Sequence, residues 1–263
     1  MKLTKISSIF AFLLTIFILS IVIYGFMGLK PKDILDLLND KEFIASVIFG
    51  LKTSILATLF SAIFGIPSGF FLARNDSSIS KILDSFFDIP IITPPLVVGA
   101  LLLNFFNAPF VKDFYSFIFT ISGATIAQFF IAFPFSVKAS KNAFELIPPV
   151  YERIAMTLGA SNFRSFYDTT FKLASSGILS GLILAWLRSM GEFGATLMVG
   201  GGIAYKTANV PINIYLKMTE GDFNKGLAAS IAIIILSFLS VFIIKYIFGK
   251  KYNVSVHRKK YRA

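Results

Sequence analysis

Six apolar blocks, each long enough to cross a bilayer, decide what this chain can fold into. They run over roughly 8–29, 43–72, 86–107, 117–137, 176–200 and 227–248. A helix of about 20 apolar residues spans a hydrocarbon core of roughly 30 Å. The reading is therefore all-α: a polytopic membrane protein with about six transmembrane helices. Composition agrees, because 15% of the residues are charged where a soluble domain carries roughly a quarter. The first block follows two lysines and ends in "YGFMGLK". It is longer than the apolar region of a signal peptide, about 7 to 15 residues, and lacks a small-x-small cleavage site. It reads as an uncleaved N-terminal helix. No repeat, heptad or low-complexity tract divides the chain, so 1–263 is taken as one domain.

The net charge is +11. In a soluble protein that excess would point to nucleic acid; in a membrane protein it points first to topology, because cytoplasmic segments retain Lys and Arg. No nucleic-acid partner is expected. Alternating the connections between two sides puts Lys30, Lys32, Lys41, Lys112, Lys206, Lys217 and Lys225 on one side. Fifteen basic residues fall on the other, from Lys2 and Lys5 through Arg74, Lys81 and the 138–175 segment to the tail. That bias places a multi-pass protein in the cell membrane with both termini cytoplasmic. The tail "GKKYNVSVHRKKYRA" then serves as an anchor near anionic lipid, with His257 solvated. Cysteine is absent, which excludes disulfides and thiolate metal sites.

The longest connection, 138–175, has a helical pattern. Ile147, Val150, Ile154 and Leu158 form one apolar stripe, and Gly159 follows where a helix would stop. Ser161 can cap a second helix whose apolar face carries Phe163, Phe166, Tyr167 and Phe171. Two amphipathic helices joined by "GAS" can pack on the protein's own spans or the membrane surface. They can equally insert into a groove on a partner.

The fifth block contains "LRSMGEFGATLMVGGG", with Arg188 and Glu192 four residues apart on one helical face. A charge at bilayer depth is costly and is normally paired, facing protein or water. One reading is a mutual ion pair fixing this span; the other is that the face borders a translocation path, where Arg188 offsets the charge of an anion. Gly181, Gly191 and Gly194 suit close helix packing, and Gly200 to Gly202 suit a helix end. Their backbone N–H groups could also face an anion. Pro94 and Pro95 should break or kink the third block, and Lys52 reads as an interfacial lysine of the second. No G-x4-G-K-[ST] loop is present: the Gly249–Lys250 pair is followed by Lys251. If ATP drives this protein, it is hydrolysed on another chain.

The run "YERIAMTLGASNFRSFYDTTFKLASSGILSGLILAWLRSMGEFGATLMVGG" resembles the signature region of ABC importer permeases. Their cytoplasmic E-A-A-x3-G loop supplies the coupling helix that contacts the ATPase. Anchored on Gly159, the E-A-A positions fall on Arg153, Ile154 and Ala155, with Glu152 one residue early; the "TLGAS" core, Thr157 to Ser161, is kept. The blocks "LKTSILATLFSAIFGIPSGFFLAR", "DIPIITPPLVVGALLL" and "GEFGATLMVGG" extend the resemblance over roughly 43–248. The last is most similar to permeases for molybdate and tungstate, and somewhat less to those for sulfate. The resemblance implies a MetI-like fold with core helices over 43–248 and a coupling loop over 138–175. It implies that Glu152, Arg153, Ala155, Thr157, Leu158, Gly159, Ala160 and Ser161 meet the ATPase. Arg188, Gly191, Glu192, Gly194 and Thr196 would then form pathway or gate. The implied partners are a second permease copy, two ABC ATPase subunits and an extracytoplasmic oxyanion-binding protein, in membrane lipid. The chain itself would hold no cofactor or metal, with ATP and Mg on the partner ATPase. Sulfate, thiosulfate or phosphate are alternative cargoes, and an ion-driven secondary transporter is the alternative class.

Overall fold

The computed structural model describes residues 2–249; the basic tail of 250–263, with His257, lies outside the described residues. The first helix, α1 (Lys2–Met27), touches the rest of the protein near its end, where Gly25 and Gly28 lie against Ile231 and Leu227. A short helix, α2 (Pro31–Asn39), occupies what the sequence suggested was a polar connection. Pro31 starts it, the Asp33 carboxylate accepts the Lys30 N–H at 2.8 Å, and Leu37 is buried. Asp40 then caps α3 (Lys41–Arg74) by accepting the Glu42 and Phe43 N–H groups.

The third block does not form one straight helix. It divides into α4 (Ser78–Ile92) and α5 (Pro95–Asn107), bent by 107° at Thr93–Pro94. This is the break expected from Pro94 and Pro95, sharper than a kink because two backbone donors are missing in succession. After α6 (Pro109–Lys112), helix α7 runs over Ile121–Glu145, not 117–137. Thr120 caps it by accepting the Gly123 N–H. The helix passes the expected end because Lys138 and Lys141 are neutralised, Lys138 by Asp84 and Asp88 at 2.7 and 2.8 Å, Lys141 by Asp84 at 2.8 Å.

The connection that follows is correspondingly shorter than 138–175. It contains α8 (Val150–Thr157), after which α9 (Asn162–Ser165), a π-helical turn (Phe166–Phe171) and α10 (Lys172–Met190) follow directly on one another. The second amphipathic segment is thus continuous with a membrane-spanning helix. The fifth block is not continuous to residue 200: α10 stops at Met190, and α11 (Gly194–Gly200) is separate. Helix α12 (Val210–Thr219) and the apolar α13 (Phe223–Gly249) complete the described chain. Among the described residues, five helices are long and apolar enough to cross a membrane, and counting the bent α4–α5 pair as one broken span makes six.

The core is built on α3, α7 and α10. Thr53, Ala57, Ser61, Gly65 and Gly69 recur every fourth residue on α3, all buried; Ala124, Gln128, Ala132, Ser136 and Ser140 do the same on α7. Small residues at this spacing let helices approach closely. A Cβ on Gly65 would lie 2.7 Å from Ser136 Oγ, and one on Gly69 would lie 2.6 Å from Ser140 Cβ. These contacts run in the same order along both helices, so α3 and α7 are parallel. On α10, Gly177 and Gly181 meet Ala143 and Ala139 in reverse order, so α10 runs antiparallel to both. Carried along these seams, Arg188 comes level with Ser61. That is about 20 Å from the Arg74 end of α3 at 1.5 Å per residue, well inside a core of roughly 30 Å.

Candidate functional site

Two places stand out, one at the Arg74 end of α3 and one at mid-depth.

At the Arg74 end, α8 projects from the bundle with Val150, Ile154 and Leu158 uncovered; Leu158 is 83% exposed. Ile147, expected in the same stripe, lies before the helix and packs inward on the Phe144–Ile178 cluster. Gly159 ends the helix with φ +90°, a left-handed conformation that favours glycine. No atom lies within 4 Å of a Cβ built there. Ser161 caps α9 by accepting the Arg164 N–H. Beyond it, Phe163, Tyr167 and Phe171 stack in a ladder, interplanar angles 12° and 12°, with Phe163 and Tyr167 exposed. Arg153, Thr157, Leu158, Gly159 and Ser161 therefore share an open surface, with Ala155 and Ala160 half-buried beneath it.

Glu152 is placed differently. It turns inward, accepting a hydrogen bond from Thr170 Oγ1 and pairing with Arg74 at 3.5 Å. Thr170 is fully buried within the π-helical turn. One carboxylate thus ties α8 to the end of α3 and to the segment leading into α10. Neither Arg74 nor Thr170 was evident from sequence as a site residue, since the pairing joins positions far apart in the chain.

At mid-depth, the two helix breaks meet. A Cβ on Gly194 would lie 3.0 Å from the Leu96 N and 3.3 Å from the Pro95 carbonyl carbon. A Cβ on Gly99 would lie 2.8 Å from the Ala195 Cα. Gly194 packs as expected, whereas Gly191 ends α10 in an exposed position. Gly201, at φ +75°, closes α11. Interrupted helices are tolerated at this depth only where protein or water covers the freed backbone groups, and here side chains do so. Glu192 Oε1 accepts the Ala195 N–H at 2.8 Å, and the Glu192 carbonyl accepts Asn209 Nδ2 at 2.6 Å. Asn209 also caps α12 through the Ile212 N–H. Arg188 Nη1 lies 2.6 Å from Glu192 Oε2, an ion pair that their four-residue spacing allows. Beside them Ser189 donates to Gln128 Oε1 at 3.1 Å, and Thr196 is fully buried. Gln128, Ser189 and Asn209 were missed; Asn209 just ahead of Val210–Pro211 was a legible helix-start signal.

Toward the Lys41 end, Glu42 accepts from Asn213 Nδ2 at 3.1 Å and Lys217 Nζ at 2.8 Å, clasping α12 to α3. The hydrogen bond that Lys217 donates to Glu42 raises the Lys217 pKa above its ordinary value, against a smaller pull downward from desolvation.

Residues 65–253 match the family described as "Binding-protein-dependent transport system inner membrane component". The chain belongs to this family. Among its relatives is the molybdenum transport system permease protein ModB of Escherichia coli K12. It is 36% identical over 219 residues, 80% of this chain and 95% of ModB. The molybdate/tungstate transport system permease protein WtpB of Methanocaldococcus jannaschii is 30% identical over 244 residues, 90% of this chain and 96% of WtpB. The fold matches a chain in the crystal structure of a bacterial alginate ABC transporter in complex with an alginate pentasaccharide-bound periplasmic protein. That match has a TM-score of 0.72, covers 92% of this chain and 91% of that one, and has 16% sequence identity. This permease thus has the helical ABC-importer fold, with the helix breaks and the α8 projection described above.

Proposed function

We propose that the permease is the membrane subunit of an ATP-driven importer for a tetrahedral oxyanion, molybdate or tungstate. Two copies form the pathway, two ATPase subunits dock on the α8 surfaces, and an extracytoplasmic binding protein delivers cargo at the Lys41 end. ATP and Mg belong to the ATPase. The observation that carries this reading is the uncovered α8 stripe with its adjoining Phe163–Tyr167 ladder. A monomeric membrane protein gains nothing by holding these side chains in water, and a helix presenting apolar anchors suits insertion into a partner groove. The excess of Lys and Arg at that end supports a cytoplasmic α8 and cytoplasmic termini. The cargo named for ModB and WtpB supports the choice of oxyanion.

The mechanics follow from chain continuity. Residues 162–190 run without interruption from the foot of α8 to the break beside α11. Closure of the ATPase pair draws the two α8 helices together; α10 carries that displacement to mid-depth, where Gly194 packs on the α4–α5 break and Arg188, Gly191, Glu192 and Thr196 lie near Gly194 in sequence. Hydrolysis resets the arrangement. Reconstitution with the cognate ATPase and binding protein tests the reading. Expected is ATP-dependent uptake of labelled molybdate, suppressed by excess tungstate and little affected by sulfate. Uptake that proceeds without the ATPase, driven by an ion gradient, refutes it.

A further inference from the structure

The mid-depth ion pair holds more hydrogen-bonding capacity than the protein uses. Arg188 reaches Glu192 through Nη1, and no other polar partner of its side chain is found among the described residues. A guanidinium carries five N–H donors in a planar fork and stays charged, so most of that fork is open. The partners are also unequally placed: the Arg188 side chain is 31% exposed and that of Glu192 is 1%. Glu192 is held from behind by the Ala195 N–H, and its backbone by Asn209, while Arg188 faces outward beside exposed Leu184 and Gly191.

A cation at this depth is not left against hydrocarbon, so the open fork faces water or a polar group. The carboxylates near the core lie toward its two ends: Asp84, Asp88 and Glu145 with the Arg74 end, Glu42, Glu220 and Asp222 with the Lys41 end. A second copy related by a two-fold axis along the membrane normal would bring only its own Glu192 to this level, and that carboxylate is buried against its own Arg188. Among the described residues, no other carboxylate is placed to close the fork.

We propose that Arg188 is a transit contact for the imported oxyanion and that Glu192 keeps that contact weak. This rests on the reading that the permease passes a tetrahedral oxyanion. The guanidinium fork matches two oxygens of such an anion. An unopposed cation in low dielectric would hold a dianion, whereas a passage site has to release what it binds. The Arg188–Glu192 pair offers donors without net charge, which suits passage. Glu192→Gln retains an acceptor for the Ala195 N–H and removes only the opposing charge.

The test uses the whole transporter, reconstituted with ATPase and binding protein for uptake. Molybdate binding to the permease–ATPase complex alone is measured by equilibrium dialysis. Arg188→Gln is expected to lower uptake at least tenfold. Glu192→Gln is expected to tighten molybdate binding at least tenfold while slowing turnover. The double variant separates contact from scaffold: it is expected to recover the thermal stability lost in the single variants, yet to bind no molybdate and remain slow. Recovery of uptake in the double variant, with molybdate binding unmoved in every variant, would overturn the proposal and leave a structural ion pair. Absence of ATP-dependent uptake in the unsubstituted transporter would overturn the importer reading, and this proposal with it.

Discussion

Replacing Glu152 with Gln removes the charge that ties α8 to the membrane helices and keeps the side-chain volume. The carboxylate has two partners, Thr170 Oγ1 and Arg74, and both ends of the Arg74 pair are about one-fifth exposed. A hydrogen bond to a charged acceptor contributes about 1.5–3 kcal/mol, and one to a neutral amide about 0.5–1.5 kcal/mol. The Arg74 pair, at 3.5 Å and partly solvated, adds at most about 1 kcal/mol. Glu152→Gln therefore costs about 1–2 kcal/mol of docking, roughly 5- to 30-fold in the opening equilibrium of α8. Hydrogen exchange of the permease in lipid nanodiscs reads this directly. The amides of Val150–Thr157 should exchange faster by about that factor, while those of α3 and α7 stay protected. Thr170→Val, which deletes the buried donor, should give a similar change in the same peptides. The refuting result is unchanged α8 exchange together with a large loss of ATPase affinity. That pattern would mean the carboxylate meets the ATPase and does not tether the helix.

Other positions give contrasting outcomes. Gly159→Leu places a side chain in open space at φ +90°, so backbone strain costs only about 1–2 kcal/mol. The permease should still insert and melt within a few degrees of the parent, while co-purification of the ATPase is lost. Gly181→Leu is the opposite case: even its Cβ collides with Ala139 on α7, and overpacking costs about 1–3 kcal/mol or more. A clear drop in melting temperature in detergent checks it. The α12–α3 clasp has a defined pH window. Because the Lys217 pKa is raised from 10.5, its stabilisation is complete below that value and fades only as pH rises through the higher folded value. Melting temperature of the parent minus that of Lys217→Met should be constant between about pH 6 and 9 and shrink above about 10.5.

What the sequence disclosed, and what it hid, divides along a physical line. Hydropathy registers depth, so six apolar blocks and six crossings agree in number. Local signals with one dominant cause were equally legible. Gly159 stopped a helix, Ser161 capped the next, Pro94–Pro95 broke the third block, and Arg188 found Glu192 one turn away. The break at 191–193 was not legible, because the stretches on both sides are apolar on average and hydropathy is blind to a missing turn. Its cause is a carboxylate serving as a cap, with Glu192 accepting the Ala195 N–H. The end of α7 was misplaced for a related reason. Lys138 and Lys141 looked like the start of a polar loop, but their partners Asp84 and Asp88 lie on another helix. The four-residue stripes of small residues on α3 and α7 were present in the sequence as a spacing that hydropathy averages away.

The contacts of Glu192 bear on the proposed transport cycle, in which the permease would switch between discrete states. At the junction of the two breaks, the backbone and carboxylate groups of Glu192 are held from three places: α11 itself, Asn209 at the head of α12, and Arg188 on α10. A small tilt of α10 cannot stretch these contacts gradually, since an unpaired polar group in a dry interior costs about 1–3 kcal/mol and a charged one more. In that cycle the contacts would either persist or exchange together for another set. At its other end α10 is joined without interruption to the π-helical turn that Glu152 ties to α8 and α3. In the proposed cycle, a displacement imposed on α8 would therefore reach mid-depth as a choice between two sets of partners for Glu192. Weakening Asn209 should favour exchange without altering either end of the lever: Asn209→Ala removes the α12 cap and the donor to the Glu192 carbonyl. The cap alone contributes about 0.5–2 kcal/mol. In that variant, spin labels on α5 and α11 should report a second distance population in the absence of ATP. A single unchanged distance would show that the Asn209 contacts do not hold the junction closed.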